Sequence, residues 1–277
     1  MKILLKGFKI VDGINDFFGS VIVENGIIKE IFNDDRELSA DVIIDSAELG
    51  GSPVLMPAFI DLHAHFRDPG FPEKETLETA SLAAAAGGFG TVVCMANTRP
   101  VLDTLEMAVD VKKRCDSLGL IDLYPVLSLT KNMEGIELSG LKELSGKGLP
   151  LMLSEDGQDV DNDDLFLAAM GEAKRLGIPV SCHCDFGGAA SDAARNAGAS
   201  RAVWSRIEEN HAVRRAIKLG KKAGCSIHIA HVSTLEAAEI IRNEKIAMGK
   251  GVGFSLSCEA TPHHIGATED DARIMGD

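Results

Sequence analysis

The sequence predicts an α/β protein with a (β/α)8 barrel, and three observations support this fold class. From residue 57 onward, apolar strand-like segments alternate with helix-like segments, which is typical of parallel strands joined by helical crossovers. Glycines follow two of the helix-like segments, at Gly87-Gly88 and at Gly177, as they do at helix C-termini. Polar side chains follow several of the strands, and in barrel enzymes the catalytic groups lie at the carboxyl ends of the strands.

Residues 1–56 are predicted to form a small β unit. Asn25-Gly26 separates two apolar runs, and this dipeptide is a strong signal for a β-hairpin. The predicted strands cover residues 2–11, 20–23, 27–32, 42–44 and 54–56. This part of the sequence contains no cluster of chemically reactive side chains, so the functional site is expected in the rest of the chain.

Residues 57–277 are predicted to contain strands and helices in alternation. The seven strands cover residues 58–66, 91–96, 122–129, 149–154, 180–184, 226–232 and 252–258. The six helices cover residues 73–86, 104–117, 138–144, 163–176, 206–223 and 235–248. A doubly wound sheet also fits this alternation, but it usually carries a glycine-rich loop after its first strand. Here the first strand ends in His63-Ala64-His65-Phe66-Arg67, which favours the barrel.

Composition and charge exclude several classes of protein. Of the 277 residues, 45% are apolar, which is too many for a disordered chain. Lys and Arg number 28 and Asp and Glu number 42, so the formal net charge is −14. This excess of acid argues against nucleic acid or an anionic membrane as a partner, because phosphates would be repelled. No apolar run reaches the roughly 18 residues of a membrane span, and no signal-peptide core is present, so we expect a cytoplasmic protein.

The six cysteines are expected to be reduced thiols, because a chain of this length and kind is not a disulfide scaffold. The segment Cys182-His183-Cys184 suggests zinc as one possibility, since its spacing places both sulfurs on the same face of a strand. Cysteine is also a common buried apolar residue. We favour packing for both sulfurs and keep sulfur ligation of zinc as the alternative.

Histidines and acidic residues stand at the predicted carboxyl ends of several barrel strands. His63 and His65 are two residues apart on the first strand, so both project from the same face. The other strand ends carry Asn97, Glu155-Asp156-Gly157, His183 and His231. Imidazole together with carboxylate is a donor set that suits zinc or a similar divalent ion. A carboxylate that bridges would allow one or two ions.

The remaining histidines have simpler interpretations. His228 lies three residues before His231, so it is expected on the opposite strand face as a packed or capped side chain. His211 is expected at the solvated surface of a helix. His263 and His264 follow the seventh strand and are within possible reach of the metal site.

Several of these segments together resemble a known family. They cover residues 56–70, 74–79, 87–89, 91–100, 154–157, 183–185, 231–234 and 259–264. In this order they are similar to the signatures of dihydroorotase in its bacterial type I form, within the amidohydrolase superfamily. The resemblance spans almost the whole chain. It implies a TIM-type barrel, residues 57–277, beside a small β-sandwich portion, residues 1–56.

The resemblance also implies roles for individual residues. It makes His63 and His65 ligands of a first metal, and His183 and His231 ligands of a second. Asp156 matches the bridging aspartate, because it stands immediately before the glycine of the family's Asp-Asp-Gly. The implied cofactor is zinc, as one or two ions per subunit.

Two further residues match the groups that hold a substrate carboxylate, namely Arg67 and Asn97. A guanidinium fork binds a carboxylate through two hydrogen bonds, which supports that role for Arg67 on chemical grounds. The chain departs from the family pattern at Ala58, Ala96, Glu155 and Asp185-Phe186, and none of these departures removes a ligand.

The activity implied by the resemblance is the reversible hydrolysis of (S)-dihydroorotate to N-carbamoyl-L-aspartate in de novo pyrimidine biosynthesis. The implied partners are this small-molecule substrate and either a second copy, as a homodimer, or aspartate carbamoyltransferase. One alternative is an allantoinase- or hydantoinase-like cyclic amidohydrolase, although those families usually place a carboxylated lysine at the fourth strand, and residues 149–154 contain none. The other is a non-catalytic, dihydroorotase-like scaffold for aspartate carbamoyltransferase, although such proteins tend to lose metal ligands.

The proton shuttle of the family has no counterpart among these residues. In the family, an aspartate at the end of the eighth strand, in an Asp-His-Ala-Pro-like motif, moves the proton to the leaving nitrogen. The sequence contains seven predicted barrel strands and no such motif. We therefore assign no catalytic residue, and we expect a truncated dihydroorotase that can bind metal but is catalytically very weak.

Overall fold

The computed structural model describes residues 1–34, 36, 38–145, 148–185, 196, 198, 201–248, 254–268, 271 and 274. The chain divides into two compact units, Met1–Phe59 and Ile60–Asp277. Within the described residues, no helix has the length and apolar character that crossing a membrane requires.

The first unit is a five-stranded sheet. Its strands are β1 (Lys2–Val11), β2 (Asp16–Glu24), β3 (Ile27–Phe32), β4 (Val42–Asp45) and β5 (Val54–Leu55), and a short helix α1 (Ser46–Leu49) follows β4. The order is β3-β2-β1-β4, with β5 also pairing with β1. The predicted hairpin joins β2 to β3, and both Asn25 (φ 51°) and Gly26 (φ 78°) have the positive φ that such a turn requires. The sequence therefore located this sheet correctly, although β2 begins at Asp16 rather than at Ser20 and α1 was not predicted.

The second unit alternates strands and helices, as predicted. The strands are β6 (Phe59–Ala64), β7 (Phe89–Cys94), β8 (Asp122–Pro125), β9 (Leu153–Ser154), β10 (Val180–Cys182), β11 (Ile227–Ile229) and β12 (Leu256–Cys258). The helices are α2 (Leu77–Ala86), α3 (Leu105–Asp116), α4 (Asp163–Leu176), α5 (Arg201–Ala223), α6 (Leu235–Met248) and α7 (Pro262–Gly266). Short 3-10 turns occur at Lys131–Met133 and Leu141–Glu143.

The strands of the second unit follow one another in sequence order. One sheet has the order β6-β7-β8 and the other has the order β9-β10-β11-β12. A parallel bridge between Leu127 and Leu153 connects the segment after β8 to β9. The pairings recorded from β7 to β8 and from β9 to β12 are parallel. The predicted α/β class is therefore confirmed, and the order shows none of the reversals that define a doubly wound sheet.

Several predicted elements are shorter or longer in the structure, and three of them show why. The helix predicted over residues 138–144 is a single 3-10 turn, Leu141–Glu143, because so short a segment gains too few hydrogen bonds to sustain a helix. The fourth strand is reduced to Leu153–Ser154, since Pro150 cannot donate a ladder hydrogen bond. The seventh strand was predicted from Val252, which lies outside the described residues, and it is observed over Leu256–Cys258.

Helix ends and a large apolar core fix the positions of the strands. Thr76 begins α2 with a reciprocal capping box, and Asn162 caps α4 through the backbone N–H groups of Asp164 and Leu165. Gly177 ends α4 in the left-handed conformation (φ 72°), as the sequence predicted. The core contains fully buried side chains from consecutive strands, among them Leu123, Leu153, Val180, Ile227 and Ile229. These side chains hold the strands, and therefore the residues at their carboxyl ends, in fixed register.

Candidate metal centre

The carboxylate of Asp156 is the centre of the histidine cluster. Asp156 is the second residue after β9 and is only 4% exposed. Its Oδ1 atom lies 3.2 Å from His63 Nε2, 3.4 Å from His183 Nδ1 and 3.6 Å from His231 Nε2. Its Oδ2 atom lies 3.5 Å from His65 Nε2. The structure thus brings together the four histidines and the aspartate for which the sequence predicted a ligand role.

Different strands deliver these side chains to the same edge. His63 is the fifth residue of β6, and its N–H donates to the Asp61 carboxylate at 2.9 Å. His65 follows β6, and its ring centroid lies 5.2 Å from that of His63. His183 follows β10 and His231 follows β11, with 2.9 Å between His183 Nδ1 and His231 Nε2. The carboxyl ends of parallel strands meet at one edge, which is why residues far apart in sequence converge here.

Charge interactions shift the pKa values of this cluster. Burial raises the pKa of Asp156, but the hydrogen bonds from His183, His231 and His63 outweigh it and hold that pKa well below the usual range. Burial lowers the pKa of His63, yet its hydrogen bonds to Asp156 and Glu259 raise the pKa to about 9. The pKa of His65 is lowered, mainly by burial. The site is therefore strongly anionic at Asp156 and is suited to a cation.

Asn97 connects two members of the cluster. Its Oδ1 atom lies 2.9 Å from His65 Nδ1, and its Nδ2 atom donates to Asp156 Oδ2 at 3.1 Å. An amide oxygen can only accept, so His65 carries its proton on Nδ1 and presents Nε2 to Asp156. The sequence predicted Asn97 as a substrate-binding residue. The structure places its amide on His65 and Asp156, which is the position of a residue that orients metal ligands.

Arg67 lies on the loop that follows β6, and its side chain is close to that of Asn97. Its Nη1 atom is 3.5 Å from Asn97 Oδ1, and its backbone has a positive φ of 57°. The same loop packs closely on the loop after β7, since a Cβ atom on Gly70 (φ 108°) would overlap the Arg99 backbone. Glycine is required there. The two loops therefore hold the Arg67 guanidinium next to the histidine cluster.

Glu259, which follows β12, contacts the far side of the His63 ring. Its Oε1 atom lies 2.7 Å from His63 Nδ1, and its Oε2 atom lies 3.1 Å from His228 Nε2. Burial raises the pKa of Glu259, but the contacts with His228 and His63 outweigh it and lower the pKa to about 2. No role was predicted for Glu259 from the sequence. Two signals could have identified it, namely its position directly after β12 and its place in the segment 259–264 that resembles the family.

His228 adjoins the cluster, a position that its sequence-based interpretation did not include. It was expected on the opposite strand face from His231 as a packed or capped side chain. It is buried, at 6% exposed, but its imidazole faces two polar groups: the carboxylate of Glu259 and, at 2.8 Å from Nδ1, the hydroxyl of Ser257. His231 has a positive φ of 34°, so the strand alternation from which the expectation was derived does not continue to that residue. His228 is therefore linked to the cluster through Glu259.

Glu155 is adjacent to Asp156 in sequence but faces another part of the fold. Its carboxylate accepts hydrogen bonds from the backbone N–H of Leu129 at 2.8 Å, from that of Thr130 at 3.1 Å, and from the Thr130 hydroxyl. It is 4% exposed. Burial, the largest effect, raises the pKa of Glu155. These contacts tie β9 to the segment after β8, which is a structural role.

Helix α5 supports the loops that carry two of the histidine-cluster residues. Arg215 donates from Nε to Asp163 at 2.8 Å and from Nη1 to Asp159 at 3.1 Å, so it fixes the segment that follows Asp156. Glu209 accepts from the backbone N–H of Ser233 at 2.7 Å and from its hydroxyl at 2.9 Å. That contact fixes the segment that follows His231. Both loops are thereby anchored to one helix of the scaffold.

The other residues considered from the sequence lie outside the cluster. Cys182 and Cys184 are free and buried in the apolar core, where burial raises both thiol pKa values well above the ordinary value. Their environment is that of packed side chains. His263 and His264 lie in the first turn of α7, and Thr261 Oγ1 contacts both of their Nδ1 atoms. His211 is exposed on α5.

The donor set fits a divalent metal ion. One ligand atom each from His63, Asp156 and His231 lie within 4.8 Å of one another, a spacing that one ion can span. Glu259 and Asn97 accept from the Nδ1–H groups of His63 and His65, so the Nε2 atoms of both rings face the carboxylate. Hydrogen bonding of the second ring nitrogen is the usual condition of metal-ligating histidine. Within the described residues, this cluster therefore has the donors and the spacing that could hold a metal ion.

Comparison with known proteins connects this chain to one family. The profile of the dihydro-orotase-like family matches residues 52–237. Dihydroorotase of Clostridium botulinum is 36% identical over 270 residues, which cover 98% of this chain and 63% of that protein. Dihydroorotase of Trichlorobacter lovleyi is 34% identical over 281 residues, which cover 99% of this chain and 64% of that protein. The chain thus spans just under two thirds of the length of these curated relatives.

Solved structures show the same fold. An L-hydantoinase (dihydropyrimidinase) from Arthrobacter aurescens superposes with a TM-score of 0.79 at 22% identity, over 99% of this chain and 61% of that chain. A D-hydantoinase superposes with a TM-score of 0.70 at 22% identity, over 98% of this chain and 60% of that chain. At this identity the likeness establishes the fold and not the substrate.

Proposed function

Because the chain belongs to the dihydro-orotase-like family, we propose that it is a metal-dependent cyclic amidohydrolase that interconverts (S)-dihydroorotate and N-carbamoyl-L-aspartate in pyrimidine biosynthesis. The observation that carries this proposal is the Asp156 carboxylate with imidazole nitrogens of four histidines between 3.2 and 3.6 Å from it. In the hydrolytic direction, water adds to a ring carbonyl carbon, the carbon–nitrogen bond breaks, and the nitrogen takes up a proton.

The residues that would hold the metal are those around Asp156. We propose zinc as the metal and one or two ions as the count, with Asp156 as the shared carboxylate. Its two oxygens face different histidines, with Oδ1 toward His63, His183 and His231, and Oδ2 toward His65. When bound, the metal supplies Lewis acidity, polarising a carbonyl oxygen and lowering the pKa of a water molecule from about 15.7 to about 7.

The substrate carboxylate is assigned to Arg67. Its guanidinium lies beside Asn97, which contacts the cluster directly, so a carboxylate bound there would lie close to the cluster. The fork of a guanidinium fixes the orientation of a carboxylate through two hydrogen bonds. Asn97 is proposed to orient His65 and to contribute to the same carboxylate site. No residue is assigned to the proton transfer at the leaving nitrogen.

We also propose a barrel, a β-sandwich portion and an assembly for this chain. The sequential strands β6 to β12 are taken as part of a (β/α)8 barrel in residues 57–277, and the sheet of residues 1–56 as the small β-sandwich portion. A homodimer and a complex with aspartate carbamoyltransferase are the assemblies proposed. Light scattering of the purified chain, alone and mixed with that enzyme, distinguishes these assemblies from a monomer.

The test of the proposed function compares related cyclic amides. The zinc-loaded chain is incubated with dihydroorotate, hydantoin and allantoin, and both binding by calorimetry and ring opening by chromatography are measured. We expect dihydroorotate to bind at least tenfold more tightly than hydantoin, because only dihydroorotate carries a carboxylate for Arg67. Selective binding and opening of hydantoin or allantoin would overturn the proposal in favour of another amidohydrolase.

A further inference from the structure

Two polar residues that adjoin the cluster, Glu259 and His228, have no role in the proposed metal ligation or substrate binding. Glu259 contacts His63 at Nδ1, and the opposite ring nitrogen, Nε2, is the one that faces Asp156. The imidazole ring therefore stands between the Glu259 carboxylate and the donor set. Glu259 cannot share the ion that His63 would bind, and its influence must pass through the ring.

The contact with Glu259 determines which ring nitrogen of His63 carries the proton. A carboxylate accepts hydrogen bonds, so the 2.7 Å contact places a proton on Nδ1 of His63. Nε2, which faces Asp156, is then the nitrogen that gives up its proton when a metal ion binds. Without this acceptor, both tautomers and rotated rings become available, and only part of that population is competent to bind metal.

His228 determines where the Glu259 carboxylate lies. The Ser257 hydroxyl lies 2.8 Å from His228 Nδ1. His228 Nε2 lies 3.1 Å from Glu259 Oε2, an ion-pair contact that lacks the geometry of a hydrogen bond. His228 is buried on β11 and so is held by the scaffold. The contacts thus run from Ser257 through His228 and Glu259 to His63.

We propose that Glu259 is a positioning residue that holds His63 in the tautomer and orientation required for metal binding, and that His228 acts through Glu259. The inference rests on the proposed metal-dependent function. The contact between Glu259 and His63 joins the end of β12 to β6, and the two residues are 196 positions apart in the sequence. A merely structural ion pair between these strands would stabilise the fold but would leave zinc affinity unchanged.

The experiment measures zinc affinity of the full chain by competition with a chromophoric chelator, with zinc content measured by mass spectrometry. The variants are Glu259→Gln, Glu259→Ala, His228→Phe and the double variant Glu259→Ala/His228→Phe. Glu155→Gln is the matched control, because Glu155 is also a buried carboxylate but faces Leu129 and Thr130. Circular dichroism of the metal-free proteins establishes that each variant is folded.

We expect zinc affinity to fall about tenfold in Glu259→Gln and up to about 100-fold in Glu259→Ala, the range observed when outer partners of metal ligands are removed. His228→Phe is expected to cause a smaller loss, and the double variant no further loss beyond Glu259→Ala, since His228 acts through Glu259. The control is expected to bind zinc as the unaltered chain does. Nitrogen NMR of the unaltered zinc-loaded chain is expected to show the His63 proton on Nδ1.

Wild-type zinc affinity in Glu259→Ala, or additive losses in the double variant, would overturn the inference. If Glu259→Ala does not fold, the zinc affinity of Glu259→Gln and the NMR measurement test the inference instead. A His63 proton on Nε2 in the zinc-loaded chain would also overturn the inference. If the unaltered chain itself binds no zinc, the proposed function fails and not this inference alone. The two failures are therefore distinguishable in one set of titrations.

Discussion

Asp156 Oδ1 lies 3.2 Å from His63 Nε2, and this contact joins the end of β9 to the end of β6. His183 and His231 approach the same oxygen from β10 and β11. One carboxylate thus meets donors from three other strands. The proposed metal binding depends on this buried carboxylate.

Asp156→Ala is expected to abolish two-ion occupancy and to weaken binding of a single zinc ion by more than about 100-fold, because the only carboxylate of the donor set is lost. Zinc content after dialysis checks this. Glu155→Gln is the comparison, and it is expected to retain zinc while losing about 1–3 kcal/mol of folding stability as its hydrogen bonds to Leu129 and Thr130 are disturbed. Loss of zinc in Glu155→Gln alone would show that the wrong acid has been assigned.

Arg67→Lys is expected to weaken dihydroorotate binding about tenfold while zinc affinity stays within about twofold of the unaltered chain. Lysine keeps the positive charge but lacks the fork that forms two hydrogen bonds with a carboxylate. Calorimetry with dihydroorotate on the zinc-loaded protein measures the first quantity, and chelator competition measures the second. Equal dihydroorotate affinity in the two proteins would remove Arg67 from the substrate site.

Asn97→Ala is expected to reduce both zinc affinity and dihydroorotate affinity. The amide orients His65 and donates to Asp156, so its loss should reduce zinc affinity about tenfold. Dihydroorotate binding should fall as well, since the substrate site adjoins the same side chain. An effect on substrate with unchanged zinc affinity would show that Asn97 serves only the substrate, as the sequence alone suggested.

Asp159 is expected to make stability depend on pH. Burial raises its pKa to about 6 from 3.8, against the opposing effect of Arg215. The folded state therefore holds the proton more tightly, so the associated stability is present below pH 3.8 and is lost as the pH rises through about 6. Between pH 5 and 7.5, the metal-free chain should lose about 1 kcal/mol more unfolding free energy than Asp159→Asn. The unfolding free energies of both proteins are measured by urea titration. The same pH dependence in the two proteins would contradict this prediction.

The sequence predicted both the α/β alternation and the convergence of the candidate metal ligands, because both follow from the positions of the strands. Residues at the carboxyl ends of consecutive parallel strands share one edge, so His63, Asp156, His183 and His231 could be placed together from strand positions alone. The Asn25-Gly26 hairpin and the glycine end of α4 were likewise local signals with a direct backbone cause.

The contacts between side chains could not be predicted in this way. The approach of Glu259 to His63 depends on how β12 lies relative to β6, and the position of His228 depends on where the strand alternation stops before His231. The amide of Asn97 could be placed near the site but not assigned to His65 and Asp156. These relationships are set by packing across strands and not by spacing within one strand.

Asp156 and the surrounding histidines are proposed to form the metal site. Zinc K-edge X-ray absorption on the zinc-loaded chain tests it most directly, because imidazole and carboxylate ligands lie at about 2.0–2.2 Å and thiolate ligands at about 2.3 Å. We expect a shell of nitrogen and oxygen alone with imidazole scattering, and loss of that spectrum in Asp156→Ala. A sulfur shell, as expected if Cys182 and Cys184 bound the zinc, or an unchanged spectrum in Asp156→Ala, would contradict it.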